Sequence, residues 1–344
     1  MLAGLVTAHR RFELVEFPEP TATGRLAVVD IAACGICGTD IHGFAGHDPY
    51  NPAICGHEWA GTVRAVGPEV RGVREGDRVV AGVSAACGGC APCIAGNTQW
   101  CVTSFLGMVG RDPLAPVHGG FAPSIAIDAG RLIPIRSAIL TDEQAAMVEP
   151  ATVCLHAMRR TRLRAGDMTV VIGAGPIGLF MLQCAKLAGA GHLLVVEPTE
   201  ARRRLALELG ADEVCEPGDA QRLVLERSAG QGADVVFECA GVASTIQVAV
   251  DLARRGGTVS LVGFAAGEAS IAPARWLIKE LAMVTSLGYL HHEFGLVMDL
   301  IADGRIRTAP MHTETVGLGE LGATMERLAD DPLGAVKVLV DPRR

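Results

Sequence analysis

The chain has 344 residues, room for two domains with substantial cores, so covalent cross-links are not needed for stability. Hydrophobic residues at 49% against 20% charged exclude a disordered chain, and a net charge of −8 without a basic run excludes nucleic acid and anionic membranes as partners. The 11 cysteines cannot all pair within one chain, and clustered thiols in a reducing compartment point to metal. From Met1 to about residue 145, short β-like runs alternate with Gly and Pro, as in Arg25–Ile31, Gly61–Val66 and Asp77–Ala81. They predict a small barrel or irregular all-β unit. The spacing of apolar residues over Thr141–Met158 predicts one helix, with Asp142 and Glu143 in its first turn. Six strand candidates follow: Met168–Ile172, His192–Glu197, Glu213–Cys215, Ala233–Glu238, Gly257–Val262 and Ala282–Leu287. Helical patterns such as Pro176–Leu187 and Ala201–Leu209 lie between them, which predicts a doubly wound parallel sheet. The tail adds a helix at Glu293–Ala302 and a closing strand at Ala335–Val340, expected to pack back on the first unit.

Met1 to Arg11 carries its basic residues after its apolar stretch, the reverse of a secretion signal. The longest uncharged apolar stretch, Met168–Ala185, is interrupted by Pro176 and three glycines and reads as strand–turn–helix. The expectation is a cytoplasmic protein with no membrane span.

Cys87, Cys90, Cys93 and Cys101 form C-x2-C-x2-C-x7-C in a turn-rich segment. Four thiolates suit tetrahedral zinc with no position left for substrate, so the expected role is structural. Iron–sulfur ligation also uses four cysteines and stays open at this point. A second set is looser: Cys37 in Gly35–His42, then His57-Glu58 some twenty residues on. Cys, His and Glu are zinc ligands, and three protein ligands plus water define a catalytic site. Cys34 and the remaining cysteines, Cys55, Cys154, Cys184, Cys215 and Cys239, read as small core residues.

Gly173-Ala-Gly175-Pro176-Ile177-Gly178 follows one predicted strand and opens a helix, the context that a dinucleotide fingerprint requires. The first glycine permits the tight turn, the second lets backbone approach a pyrophosphate, and the third lets helix and strand pack closely. Glu197 ends the next strand, where an acid bonds the ribose 2′-OH and repels a 2′-phosphate, favouring NAD over NADP. Arg203 and Arg204 read as a solvated helix face.

In the order Cys34-Gly-Ile-Cys-Gly-Thr-Asp40, Gly56-His-Glu-Trp-Ala-Gly61 with Val63, Val66 and Gly67, the four-cysteine lobe, Glu149-Pro150 and the glycine motif, the whole chain resembles the zinc-dependent medium-chain alcohol/polyol dehydrogenases. Glu149-Pro150 is similar to the sorbitol, threonine and butanediol dehydrogenase branch. The resemblance implies an α/β fold with a GroES-like β-rich catalytic domain and a Rossmann domain built on a six-stranded parallel sheet. The expected divisions are a catalytic domain over 1–146 with its zinc lobe at about 84–103, an NAD-binding domain over 147–286, and a C-terminal segment, 287–344, returning to the first.

By that resemblance Cys37, His57 and Glu149 ligate the catalytic zinc, with Glu58 ligating directly or exchanging with Glu149. Thr39 matches the relay hydroxyl and His42 the relay histidine, while Asp40 is expected to receive the N–H of His57. Arg202 matches a basic position beside the adenosine, Val262-Gly263 a segment lining the nicotinamide, and Lys337 a basic position reaching the phosphates. The substrate is expected near Thr39, His42, Phe44 and Trp59, with His47, Tyr50, Trp276 and Tyr289 approaching. The implied reaction moves a hydride between a secondary alcohol (a polyol, diol or amino alcohol) and NAD, giving the ketone in a homo-oligomeric enzyme. The alternatives are a redox-neutral epimerase or cyclase with retained NAD, a primary-alcohol dehydrogenase, and a zinc- and nucleotide-binding protein without catalysis.

Overall fold

The structure is a computed structural model that describes residues 1–82, 86–111 and 115–344. The chain folds into two units: Met1–Glu149 with Leu290–Ala302 and His312–Arg344, and Pro150–Tyr289 with Asp303–Met311. Most of the tail thus belongs to the first unit. Asp303–Met311 instead joins the second, where the Arg307 N–H donates to Gln183 Oε1 at 2.6 Å and Gln183 Nε2 donates back to the Arg307 carbonyl at 3.2 Å.

The first unit opens with an antiparallel hairpin, β1 (Leu2–Ala8) and β2 (Arg11–Glu16). Its main sheet uses β3 (Leu26–Gly35), β4 (Glu58–Val66), β5 (Arg78–Ala81), β6 (Ser124–Asp128) and β7 (Leu132–Pro134). The long β3 is its hub, antiparallel to both β4 and β6. Alternating small and β-branched side chains let β3 bury Ala27, Val29, Ile31 and Cys34 in one core with Trp59, Val63, Ile125 and Ile127.

The second unit holds β8 (Met168–Ile172), β9 (His192–Val196), β10 (Glu213–Cys215), β11 (Ala233–Glu238), β12 (Ala253–Leu261) and β13 (Ala282–Thr285), all parallel, in the order β10-β9-β8-β11-β12-β13. Every residue of β8 is buried, as a central parallel strand covered on both faces requires. β8 pairs with β9 on one side and β11 on the other, so the strand order reverses at its C-terminal end, the crevice in which doubly wound sheets bind ligands. The tail returns through β14 (His312–Gly317) and β15 (Lys337–Asp341), and β15 extends the first unit's sheet by pairing with β3.

One expected helix is two. Thr141 and Gln144 cap a short helix, Asp142–Ala146, through reciprocal bonds, and Met147 closes it before Val148–Arg160 begins. Pro150 is the cause, because it has no N–H to offer the Ala146 carbonyl and its ring crowds that oxygen. No helix among the described residues is long and apolar enough to cross a membrane.

Candidate functional site: two metal centres and a dinucleotide crevice

The ligand atoms of Cys37, His57 and Glu58 all lie within 4.8 Å of one another. Cys37 is the N-cap of helix Gly38–Ala45, and His57 is the last residue before β4. The helix start and the strand start are held together by Asp40, which is fully buried. Its Oδ2 accepts the Cys37 N–H at 3.0 Å and its Oδ1 the Gly56 N–H at 3.0 Å.

Asp40 does not take the role expected of it. His57 Nδ1 donates to the Ile54 carbonyl at 3.0 Å and stands 4.0 Å from Asp40 Oδ1. The turn Pro52–Ile54 brings that carbonyl under the ring, and a carbonyl fixes the tautomer as a carboxylate would. Nε2 is therefore the nitrogen left for a metal. Burial opposes a charged imidazole, but Cys37, Asp40 and Glu149 together raise the His57 pKa well above its ordinary value. A cluster that concentrates thiol and carboxylate charge on one half-buried imidazole has the donor set of a zinc site.

Glu58 and Lys337 form a buried ion pair, and Lys337 Nζ also donates to the Ile36 carbonyl at 2.9 Å. Gly35 leaves the space for them: a Cβ there would lie 2.4 Å from Glu58 Oε2. Lys337 is 1% exposed, so the expectation that it reaches cofactor phosphates is corrected. Its ammonium is held inside the first unit: burial opposes the charge, but Glu58, Cys37 and Glu149 together raise the lysine pKa. The sequence carries no local sign of this pair, since 279 residues separate its members.

Glu149, 7% exposed near the start of helix Val148–Arg160, lies outside the 4.8 Å cluster, yet it acts electrostatically on both His57 and Lys337. Thr39 Oγ1 is buried without a hydrogen-bond partner among the described residues. His42, three residues on in the same helix and hence on the same face, is exposed. Cys34 is a neutral core thiol, its pKa pushed up by burial and by Asp40 and Glu58. Phe44 and Trp59 belong to the first unit's core. Tyr50 bonds Asp40, His47 stacks on His9, and Trp276 donates to Gln247 within the second unit.

The four-cysteine lobe is the second centre. The sulfurs of Cys87, Cys90, Cys93 and Cys101 all lie within 4.8 Å of one another. The short helices Ala91–Ile94 and Val102–Met108 and the turn Thr98–Trp100 fold the chain around them. Burial works against an ionised Cys101, but N–H groups of Cys87 and Ser104 and neighbouring thiols hold its pKa at about 5. Burial and Cys90 push Cys93 up to about 12. The first residues expected in the lobe, Ser84 and Ala85, lie outside the described residues. At its far end the Gly110 carbonyl accepts the Asn51 Nδ2 hydrogen at 2.8 Å, which ties the lobe to the loop before His57.

In the second unit, Gly173 turns at the end of β8 with φ +92, and a Cβ on Gly178 would lie 1.9 Å from the Gly173 carbonyl oxygen. A Cβ on Gly175 would meet nothing within 4 Å, so backbone there is open to an anion at the start of helix Pro176–Leu187, whose first residues are Pro176 and Ile177. Glu197 follows β9, 2% exposed, and accepts the Ala174 N–H at 2.7 Å and the Thr199 N–H at 2.9 Å. Two amides leave further lone pairs on its oxygens. Arg203 is not on a solvated face: it donates to the carbonyls of Glu197 and Pro198 and to Glu216, pinning the loop that carries the acid. Arg204 pairs with Glu200 in solvent, and Arg202 is buried.

Glu238 is a site-shaping residue that pattern reading missed. At the end of β11 it accepts from Ala240 N, Gly241 N and Thr245 Oγ1. Its carbonyl receives the N–H groups of Val262 and Gly263, each at 2.9 Å. An acid closing a strand before Ala-Gly was the available sign.

A family model for the alcohol dehydrogenase GroES-like domain matches residues 24–137, and one for a zinc-binding dehydrogenase matches 176–303. A 2-dehydro-3-deoxy-L-galactonate 5-dehydrogenase of Pseudoalteromonas atlantica is 33% identical over 99% of this chain and 98% of its own. A sorbitol dehydrogenase of Halalkalibacterium halodurans is 30% identical over 98% and 96%. The crystal structure of 2R,3R-butanediol dehydrogenase from Bacillus subtilis superposes with a TM-score of 0.85 at 29% identity, covering 99% of each chain. Two further similar structures hold nicotinamide cofactors. One, from Sinorhizobium meliloti, holds NADP (31% identity, 99% of each chain, TM-score 0.82). The other, from Escherichia coli, holds NADH (27% identity, 99% of each chain, TM-score 0.87).

Proposed function

The chain belongs to the zinc-dependent medium-chain dehydrogenases that act on CH–OH groups, and from that premise we propose that it transfers a hydride between a secondary alcohol (polyol, diol or amino alcohol) and NAD, giving the ketone. The observation that carries the reading is the Cys37–His57–carboxylate cluster beside a buried Thr39 hydroxyl that has no partner among the described residues. Bound zinc supplies a Lewis acid that acidifies a substrate hydroxyl or, in reverse, polarises the ketone.

Cys37 Sγ, His57 Nε2 and a Glu149 oxygen would hold the metal. Glu58 is the reserve ligand, because Lys337 already neutralises its carboxylate. Thr39 Oγ1 accepts the substrate proton and passes its own toward His42, which exchanges it with solvent. The glycine turn and the start of helix Pro176–Leu187 receive the pyrophosphate, and Glu197 takes the ribose hydroxyls. Arg203 supports NAD as the preferred cofactor, because its guanidinium is spent on holding the Glu197 loop instead of facing a 2′-phosphate.

Incubating the enzyme with NAD and a panel of secondary alcohols tests the proposal. NADH forms in step with ketone for at least one polyol, diol or amino alcohol, and kcat/KM is higher with NAD than with NADP. Turnover without net NADH would indicate a redox-neutral reaction, and a strong NADP preference would overturn the reading of Glu197.

A further inference from the structure

Tyr50 is one of only two tyrosines in the chain. It lies in the loop between helix Gly38–Ala45 and the turn Pro52–Ile54, with its ring against Gly43, where a Cβ would lie 2.4 Å from the ring. Its hydroxyl donates to Asp40 Oδ1 at 2.9 Å. That oxygen also accepts the Gly56 N–H, and Oδ2 accepts the Cys37 N–H. One buried carboxylate thus clasps the backbone of one metal ligand and of the residue before another, and among the described residues Tyr50 is its side-chain donor.

We propose that Tyr50 is a positioning residue of the catalytic metal centre: its phenol holds the Asp40 carboxylate that spaces Cys37 from His57. The inference rests on the zinc reading of that centre. A buried carboxylate keeps its place only while its lone pairs are satisfied. Without the phenol, Oδ1 retains the Gly56 N–H alone, and His57 Nδ1 stands 4.0 Å away as an alternative donor. To take that proton Asp40 must draw the imidazole off the Ile54 carbonyl, which swings Nε2 away from the metal position.

The test uses zinc-loaded holoenzyme, wild type and Tyr50→Phe, titrated with a chelator while bound zinc is counted. Phe keeps the ring against Gly43, so a role in packing alone leaves the variant like wild type. The expected result is that both proteins retain the four-cysteine zinc, while Tyr50→Phe releases the other about tenfold more readily, the effect typical of losing a group behind a metal ligand. Cobalt(II) placed in the catalytic centre shows altered visible absorption in the variant. Equal chelator sensitivity and identical cobalt spectra would overturn the role of Tyr50 and leave the zinc reading intact. A wild-type enzyme holding a single zinc would overturn both. If Tyr50→Phe fails to fold, fluorotyrosine-labelled wild type decides: with Tyr289→Phe assigning the two 19F resonances, that of Tyr50 moves when catalytic zinc is stripped, and an unmoved resonance refutes the proposal.

Discussion

Four identical thiols gather in a lobe where Cys87 is exposed, whereas half-buried Cys37 and His57 gather with the buried Glu58 alongside Glu149, a lysine, an aspartate and a hydroxyl that has no partner among the described residues. The lobe spends its ligands within 15 residues of one another, and its neighbours are turns. The second cluster draws on a helix start, a strand start, a second helix and, through Lys337, the closing strand β15. A closed shell needs only its own ligands to be complete. An open one must be built by the surrounding fold, because the fold keeps a coordination position free while keeping the ligands fixed. That contrast separates a centre that stabilises from one that reacts.

The largest expected effect tests the reactive half. Cys37→Ser should reduce bound zinc from two per subunit to one and lower kcat/KM on the order of 10³-fold or more, the several kcal/mol that a Lewis acid supplies to a developing charge. Its thermal midpoint should stay close to that of wild type, and metal analysis with steady-state kinetics checks both. A variant retaining full activity in metal-free buffer would break the comparison outright.

Cys90→Ser should do the reverse. Zinc again falls to one per subunit, but Tm drops by about 5 °C or more, because metal binding free energy in such lobes is folding free energy. Turnover measured well below the new midpoint should fall far less than in Cys37→Ser. Calorimetry with and without a chelator gives the shift, and an unchanged Tm would show that the lobe folds without its metal.

His42→Ala carries the smallest effect and sharpens the reactive half further. The residue is exposed, so water can replace it. A loss of about tenfold, below the usual range for acid–base groups, is expected on the acid limb of the pH–rate profile, with little change at high pH. A profile identical to wild type would remove His42 from the relay.

The two centres also differ in how far the sequence reveals them. The four cysteines are close in sequence, so spacing alone brings their sulfurs together. The glycine turn is equally local, and β8 with helix Pro176–Leu187 forms where the pattern places it. Met147 interrupts a helix that looked continuous, although Pro150 already marked the obstacle. What stayed hidden are long-range choices among chemically similar partners. Lys337 could serve a phosphate or a carboxylate, and only the pairing of β15 with β3 puts it beside Glu58. Asp40 could serve His57 or backbone amides, and the Ile54 carbonyl decides by reaching the ring first. Tyr50 reads as a substrate neighbour until its hydroxyl is seen on Asp40.

The hydrogen bond from Asn51 to Gly110 makes the two centres neighbours in a mechanical sense. Asn51 sits beside Tyr50 and caps the turn that supplies the Ile54 carbonyl, so slack at the lobe's far end is transmitted to the loop holding His57 in register. Coupling through such a contact is reciprocal, so a change at either end bears on the seat of the other. The loop that carries Tyr50, Asn51 and the Ile54 carbonyl is therefore shared ground between a centre that stabilises and a centre that reacts.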